Sequence, residues 1–222
     1  MLPLTETIPK PMLSVGSKPF LQHQVELLVR NGIRDIVLLV AYLGEQIEQF
    51  FGDGARFGCR FAYSYEKSPL GTGGALKNAA AFLAPSFLLL NGDTYLDLPY
   101  SKMAGDFSAA RVSALIAAYR PNSRDTRLPA DKVACNLALD AEGRVLIYRK
   151  KQPEGLTHVD AGVIALRKAI LDRIPPGEVF SLEEKIFPQL IKEGQMLAWI
   201  SKEPFYDMGS PEGLEALAEK LL

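Results

Sequence analysis

Between Lys18 and Asn31 apolar residues recur at helical spacing. Phe20, Leu21, Val25, Leu27 and Leu28 form one stripe that also carries Gln24, and Gly32 follows as a helix-ending residue. The pattern then becomes continuous in "DIVLLVAY", which predicts a strand buried on both faces. "GEQIEQFFGDG" predicts a short helix closed by glycines, and "CRFAYSY" alternates as a strand. A helix is expected from about Gly73, and "SFLLLNGD" (Ser86 to Asp93) is a second apolar strand that ends abruptly on polar residues.

The second half is more mixed. "RVSALIAAYR" and "KVACNLALD" read as strands, and "AEG" turns the chain into "RVLIYRK" as a hairpin. "HVDAGVIAL" and "MLAWI" are further strands. Ser181 with Glu184 is a capping-box signature that opens the helix "LEEKIFPQLIKEG", which Pro188 should kink or interrupt. "SPEGLEALAEKLL" predicts a last amphipathic helix with Pro211 just inside its start. Strands and helices that alternate across short connections argue for a mainly parallel sheet with helices on both faces. Ligands of such sheets sit beyond the carboxyl ends of strands, where Asn91, Gly92 and Asp93 fall. The chain reads as one domain, 1–222, in two halves, 1–110 and 111–222.

Composition narrows the function classes. Over 222 residues the net charge is -1, so no basic field points to nucleic acid or an anionic membrane. The longest apolar run, Ile36 to Leu43, is too short for a membrane span, and "MLPLTETIPKP" lacks the pattern of a signal peptide. Cys59 and Cys135 stand far apart without a CxxC, as expected of small buried hydrophobes in a reduced, cytoplasmic protein. His23 and His158 have no partner at metal-ligand spacing.

Several residues could carry chemistry. The turn "GTGGALK" opens a helix with exposed backbone N–H groups, yet it fits neither G-x-x-x-x-G-K-[ST] nor G-x-G-x-x-G. Asp93, at the lip of a strand, sits where a hard divalent cation can be held; a turn-capping aspartate is an equally good reading. Asp207, in "FYDMGSPEG", has the same two readings. Lys10 stands between two prolines that stiffen its backbone, and Arg149, Lys150 and Lys151 form a basic turn. No Ser-His-Asp or Cys-His arrangement suggests a covalent nucleophile.

Taken in order, "PLTETIPKPMLSVGSKPFLQHQVELLVRNGIRDIVLLVAY", "SPLGTGGALKNA", "LLLNGDTYLD", "HVDAGVIAL" and "YDMGSPEGLEAL" resemble the sugar-1-phosphate nucleotidyltransferase family over nearly the whole chain. "EKSPLGTGGALKNA" and "VFSLEEKIFPQL" look most like mannose- and heptose-1-phosphate guanylyltransferases. The resemblance implies an α/β, Rossmann-like fold, with a mixed, mostly parallel sheet and helices on both faces. It implies transfer of a nucleotidyl group from a nucleoside triphosphate, GTP by likeness, to a sugar 1-phosphate, with pyrophosphate leaving. In the family's pattern Asp93 and Asp207 would hold Mg²⁺, and Lys10 would contact phosphate. Lys150 or Lys151 takes the place of the lysine that steadies the sugar phosphate. Asp160 and Gly162 match the segment lining the sugar pocket, with aspartate where the family has asparagine. Gly71, Thr72 and Gly73 match the segment that receives nucleobase and ribose, where small residues would let a flat base lie close to backbone.

One element of the family's pattern is not in this sequence. Members begin with an apolar strand and a loop of the form G-G-x-G-T-R-L just before the segment matching "PLTETIPKP", whereas here that segment follows directly on Met1-Leu2. The expectation is therefore a sheet with its first strand missing and a chain weak or inactive as written, stabilised by rearrangement or by association with further copies. A second function follows from the same departure: a non-catalytic homologue that holds a nucleotide-sugar or sugar phosphate.

Overall fold

Residues 7–121, 134–149, 155–209 and 211–221 are described by the structure, a computed structural model. The prolines around Lys10 frame a 3-10 turn, Lys10–Met12. A small hairpin of β1 (Ser14–Val15) and β2 (Lys18–Pro19) leads into α1 (Phe20–Arg30), whose buried stripe is Phe20, Leu21, Gln24, Val25, Leu27 and Leu28. There follow β3 (Asp35–Val40), α2 (Gly44–Phe51), β4 (Arg60–Tyr65), α3 (Gly71–Asn78), β5 (Ser86–Leu90), β6 (Thr94–Tyr95) and α4 (Tyr100–Ala109). The remainder comprises β7 (Ala114–Tyr119), β8 (Leu137–Leu139), β9 (Val145–Tyr148), β10 (Val159–Arg167), α5 (Phe187–Lys192), β11 (Met196–Ser201), β12 (Tyr206–Asp207) and α6 (Pro211–Leu221).

The main sheet has the order β11-β7-β10-β5. β7 and β11 pair in parallel, while β10 runs against both of its neighbours. Pairing of β5 with β10 joins the two halves of the chain in one sheet. The two faces of β7 bury different sets of side chains, as the period of two requires. Leu115, Ala117 and Tyr119 pack in a core with Phe20, Leu27, Met103 and Leu217, from α1, α4 and α6. Ala114, Ile116 and Ala118 pack with Leu76, Leu182, Ile186 and Leu190, from α3 and the helical segment ending in α5. Each fully buried Leu, Ile, Phe or Met among them contributes about 1.5–3 kcal/mol. At the end of β10 the Arg167 guanidinium donates to the Phe107 and Ala110 carbonyl oxygens and lies over the Phe107 ring, so it satisfies the carboxyl end of α4.

β3 and β4 form a separate parallel pair packed on α1 and α2, and among the described residues no strand bridges them to β5. Between β3 and β5 lies a cavity of about 1430 Å³, walled by Val37, Leu38 and Leu39 on one side and Leu88, Leu89 and Leu90 on the other. This hollow corrects one expectation: "DIVLLVAY" is not buried on both faces, and Ile36 to Leu39 are half-buried, like Phe87 to Leu90. The helix around Pro188 is interrupted as expected, with a π-helical turn over Leu182–Ile186 giving way to α5. α3 begins at Gly71, two residues earlier than its alanine-rich stretch suggests. No helix of the described residues is long and apolar enough to cross a membrane.

Candidate active site

The strand-end aspartate is fixed from three directions. β5 stops at Leu90, and the Asn91 N–H donates to the Gly162 carbonyl oxygen of β10 at 2.9 Å. Gln24, on the buried stripe of α1, donates its amide to the Asn91 carbonyl at 3.0 Å and to the Thr94 carbonyl at 2.6 Å. The peptide carrying Asp93 is thus clamped on both sides by one side chain. A glutamine within an otherwise apolar helical stripe is the sequence signal for this role, since a buried amide needs partners.

β12 then brings the second carboxylate alongside. Asp207 pairs with Thr94 in the antiparallel β6–β12 ladder, and the Met208 N–H donates to the Asp93 carbonyl at 2.9 Å. Two aspartates separated by more than a hundred positions in the chain therefore stand on neighbouring backbone segments. Asp207 Oδ1 accepts the Gly209 N–H, which fixes its side chain in the turn before α6. Lys10 reaches across from the proline-framed turn, and its Nζ donates to Asp93 Oδ2 at 2.7 Å. The pair is half-exposed, with 35% and 43% of the two side chains accessible, so its contribution to stability is small and its charges remain available to a ligand.

Gly162 sits where β10 shifts register against β7, with φ +78. A Cβ there would lie 2.9 Å from the Thr94 side chain, next to Asp93, so glycine is required by both conformation and space. Its N–H donates to Asp160 Oδ1 at 2.9 Å, and the Tyr148 hydroxyl donates to Asp160 Oδ2 at 3.0 Å. Burial first, and then the negative charge of Asp160, push the Tyr148 phenol far up, which keeps it a proton donor. The Asp160 N–H is held by Asn136 Oδ1 at 2.8 Å. Lys150 and Lys151 lie outside the described residues.

The glycine turn Gly71–Gly74 faces the same cavity through Gly71 and Thr72, but the chain itself explains its small residues. A Cβ on Gly71 would meet the Phe180 carbonyl oxygen at 2.9 Å, one on Gly73 the Phe180 ring at 2.8 Å, and one on Gly74 the Glu178 carbonyl oxygen at 2.5 Å. Phe180 N–H donates to the Leu70 carbonyl and the Gly73 N–H to the Phe180 carbonyl. The space that side chains at Gly71, Gly73 and Gly74 would need is thus filled by the segment Glu178–Phe180. Thr72 takes part as well: its hydroxyl donates to Glu183 at 2.6 Å and accepts the Leu182 N–H at 2.9 Å.

The cavity is thus bordered by the strand end (Asn91, Gly92), the glycine turn (Gly71, Thr72) and the bulged strand (Asp160, Gly162). Sequence reasoning missed Gln24 and Glu183 as parts of it, and Tyr148 as the partner of Asp160. Among the described residues no group of three or more His, Cys, Asp or Glu side chains could hold a metal ion, so the acidic set at this point is the pair Asp93 and Asp207.

Comparison with known proteins gives a consistent picture. The chain is 34% identical over 209 residues to a D-glycero-alpha-D-manno-heptose 1-phosphate guanylyltransferase of Campylobacter jejuni, covering 94% of this chain and 89% of that protein. It is 32% identical over 219 residues to a mannose-1-phosphate guanylyltransferase of Mycobacterium tuberculosis, covering 95% of this chain and spanning only 58% of the relative's length. The crystal structure of HddC from Yersinia pseudotuberculosis superposes with a TM-score of 0.80 at 29% identity, over 97% of this chain and 91% of that one. A second structure of HddC, complexed with GMP-PN, superposes with a TM-score of 0.79. The nucleotidyl transferase family model matches residues 1–222, and the chain belongs to that family.

Proposed function

We propose that the protein transfers a guanylyl group from GTP to the 1-phosphate of a mannose- or heptose-type sugar, releasing pyrophosphate. The observation that carries this reading is the placement of Asp93 beside Asp207, with Lys10 on Asp93, next to the strand end Asn91–Gly92 that borders the cavity. Two carboxylates suit Mg²⁺, which is commonly bound through one or two carboxylates with substrate phosphates and water completing its shell. Asp93 and Asp207 would hold it, and when bound it neutralises charge on the phosphate undergoing displacement.

The chain's own residues supply position and charge. Lys10 is aimed by its rigid turn at the Asp93 end of the site, where its ammonium would meet a phosphate oxygen. Asp160, oriented by Tyr148 and by the Gly162 N–H, would accept a hydroxyl of the carbohydrate, and Lys150 or Lys151 would steady its phosphate. Gly71 and Thr72 would receive the nucleotide at the cavity wall, and the guanylyltransferase relatives and the nucleotide-bound HddC structure support the choice of GTP. The sugar phosphate is itself the nucleophile, so no covalent intermediate is needed and catalysis consists of alignment and charge neutralisation.

The test is pyrophosphate release with Mg²⁺, mannose 1-phosphate or heptose 1-phosphate, and GTP, ATP, UTP or dTTP in parallel. Weak turnover that prefers GTP is the expected result. Preference for ATP or UTP overturns the guanine assignment. Binding of nucleotide and sugar phosphate without turnover favours the non-catalytic reading instead.

A further inference from the structure

β3, α2 and β4 form a βαβ unit with a core of its own. The strands pair in parallel along their whole length, from Asp35 with Arg60 to Val40 with Tyr65. Val40, Ile47, Phe51 and Cys59 are buried there, and the Phe51 ring meets those of Phe57 and Phe61 at 5.0 and 5.5 Å. The Tyr63 hydroxyl donates to the Gly52 carbonyl and the Tyr65 hydroxyl to Glu48, so β4 is bonded to α2 and to the residue that ends it.

Attachment to the four-stranded sheet is of another kind. Among the described residues no strand bridges β3 to β5. Half-buried Val37, Leu38 and Leu39 face Leu88, Leu89 and Leu90 across the hollow of about 1430 Å³. α1 serves both bodies: Phe20, Leu27 and Leu28 pack in the core on the sheet, Leu21 and Val25 in that of the βαβ unit. The bonds from Gln24 to the Asn91 and Thr94 carbonyls fix α1 to the sheet side. The unit therefore rests on α1 through side-chain packing, the kind of contact that permits small sliding movements. At its rim the Asn78 amide of α3 donates to the Ser64 hydroxyl at 2.9 Å and the Tyr65 carbonyl at 3.0 Å. Gly32, at φ +79 with open space around it, leads into the unit, and Lys67-Ser68-Pro69 leads out.

We infer that β3, α2 and β4 move as one lobe on α1 and close toward the sheet when a ligand spans the cavity. Protein interiors are close-packed, so aliphatic walls held apart by such a hollow give closure a hydrophobic driving force. The two connecting segments are short loops of the kind that absorb hinge rotations. Coupling to ligand follows from the lining. Ala41 and Glu66, whose N–H donates to the Val40 carbonyl, border the cavity from the lobe, and Thr72, Asn91 and Gly162 border it from the sheet side. A molecule that touches both sets binds the closed arrangement better and shifts the population toward it. The coupling rests on the nucleotide reading of the cavity; the lobe itself does not.

The experiment measures spin-label distances in the full chain, with Cys135→Ser and the buried Cys59 left in place. Labels at Gln49→Cys on α2 and Lys192→Cys on α5 span the two bodies, and Ser108→Cys with Lys192→Cys is the control within the sheet side; all three positions are exposed. In the free chain the Gln49–Lys192 distribution should be broader than the control. Asn78→Ala releases the rim and should broaden it further. Saturation with Mg²⁺ and a non-hydrolysable GTP analogue, followed by isothermal titration, should narrow it and shift it by about 2 Å or more while the control stays in place. Distances unmoved by an analogue that titration shows to be bound overturn the inference, as does an equal shift in the control. An analogue that does not bind refutes the functional reading instead. The free chain then decides: a Gln49–Lys192 distribution broader than the control supports the lobe, and one of equal breadth overturns it.

Discussion

Replacing Gly74 by alanine adds one methyl group to a helix, a change that ordinarily stabilises by up to about 1 kcal/mol. Here the sign should reverse. The new Cβ would stand 2.5 Å from the Glu178 carbonyl oxygen and 2.9 Å from Leu70 Cβ, and a backbone oxygen cannot rotate aside. Relief requires the segment Glu178–Phe180 to lift off α3, which strains or breaks Phe180 N–H to Leu70, Gly73 N–H to Phe180 and Gly74 N–H to Phe180. At about 1 kcal/mol each these bonds cost about 3 kcal/mol, offset by about 1 from the helix, leaving about 2 kcal/mol of destabilisation. For a domain of this size that is a fall in Tm of about 4–8 °C. Gly105→Ala in α4 is the control, because nothing lies within 4 Å of its Cβ position. It should gain about 0.5–1 kcal/mol and raise Tm by a few degrees. Thermal and urea unfolding of the two variants read the contrast directly. If Gly74→Ala is as stable as Gly105→Ala, the segment does not rest on the turn, and the account of the glycines fails with it.

Asp207→Asn keeps the oxygen that accepts the Gly209 N–H but removes the charge beside Asp93. It should raise the Mg²⁺ concentration needed for half-maximal turnover by at least about tenfold with little change in Tm, as Mg²⁺ titration of pyrophosphate release will show. Gln24→Leu leaves the buried Asn91 and Thr94 carbonyls without their donor, at about 1–3 kcal/mol, and should depress both Tm and turnover because the same bonds hold Asp93. His158 is held below its ordinary value by burial first and by the Arg120 charge second. The unfolded chain therefore takes up a proton near about pH 6.5 that the folded chain takes up only lower, so stability is full above that pH and falls as pH drops through it. His158→Gln should flatten Tm between about pH 7 and pH 5; a slope equal to that of wild type assigns the effect elsewhere.

Much of the architecture is legible because burial and period agree. α1 and β11 fall where the apolar pattern places them, β10 covers all but the first residue of "HVDAGVIAL" and runs on to Arg167, and the turn at "AEG" joins β8 to β9. What escapes is of two kinds. β6 and β12 are two residues long and carry no period at all; they exist because Asp207 and Thr94 find each other across the fold. α4 is weakly patterned, with Gly105 exposed in its middle, and is held instead by the Arg167 guanidinium at its carboxyl end. The half-burial of β3 and β5 is likewise invisible locally, since "DIVLLVAY" reads the same whether or not another strand lies against its edge.

The candidate site divides along the same line. Asp93 at a strand end and Lys10 between two prolines can be singled out one at a time, although each also reads as an ordinary turn cap or surface lysine until the family's pattern is laid over them. Residues that matter through a partner distant in sequence cannot. Gln24 looks like one more position on a helix stripe, and only the two carbonyls that flank Asp93 give its amide a purpose. The glycines of Gly71–Gly74 look like a ligand's landing place, yet their missing side chains make room for Phe180 and Glu178. This inverts the causal order that the sequence suggests. The turn is small first so that a neighbouring segment can close on it, and that closure brings Glu183 to Thr72 at the cavity wall. Any ligand that rests on Gly71 and Thr72 therefore meets a surface whose shape depends on Phe180 and on the carboxylate beside it, so substitutions at Phe180 should change ligand selection without touching the acidic pair. Phe180→Ala, which leaves the backbone bonds to Leu70 and Gly73 intact but removes the ring against Gly73, isolates that dependence. It should alter the relative affinities for GTP and mannose 1-phosphate while leaving the Mg²⁺ requirement unchanged, and a variant that changes only the latter contradicts this order of causes.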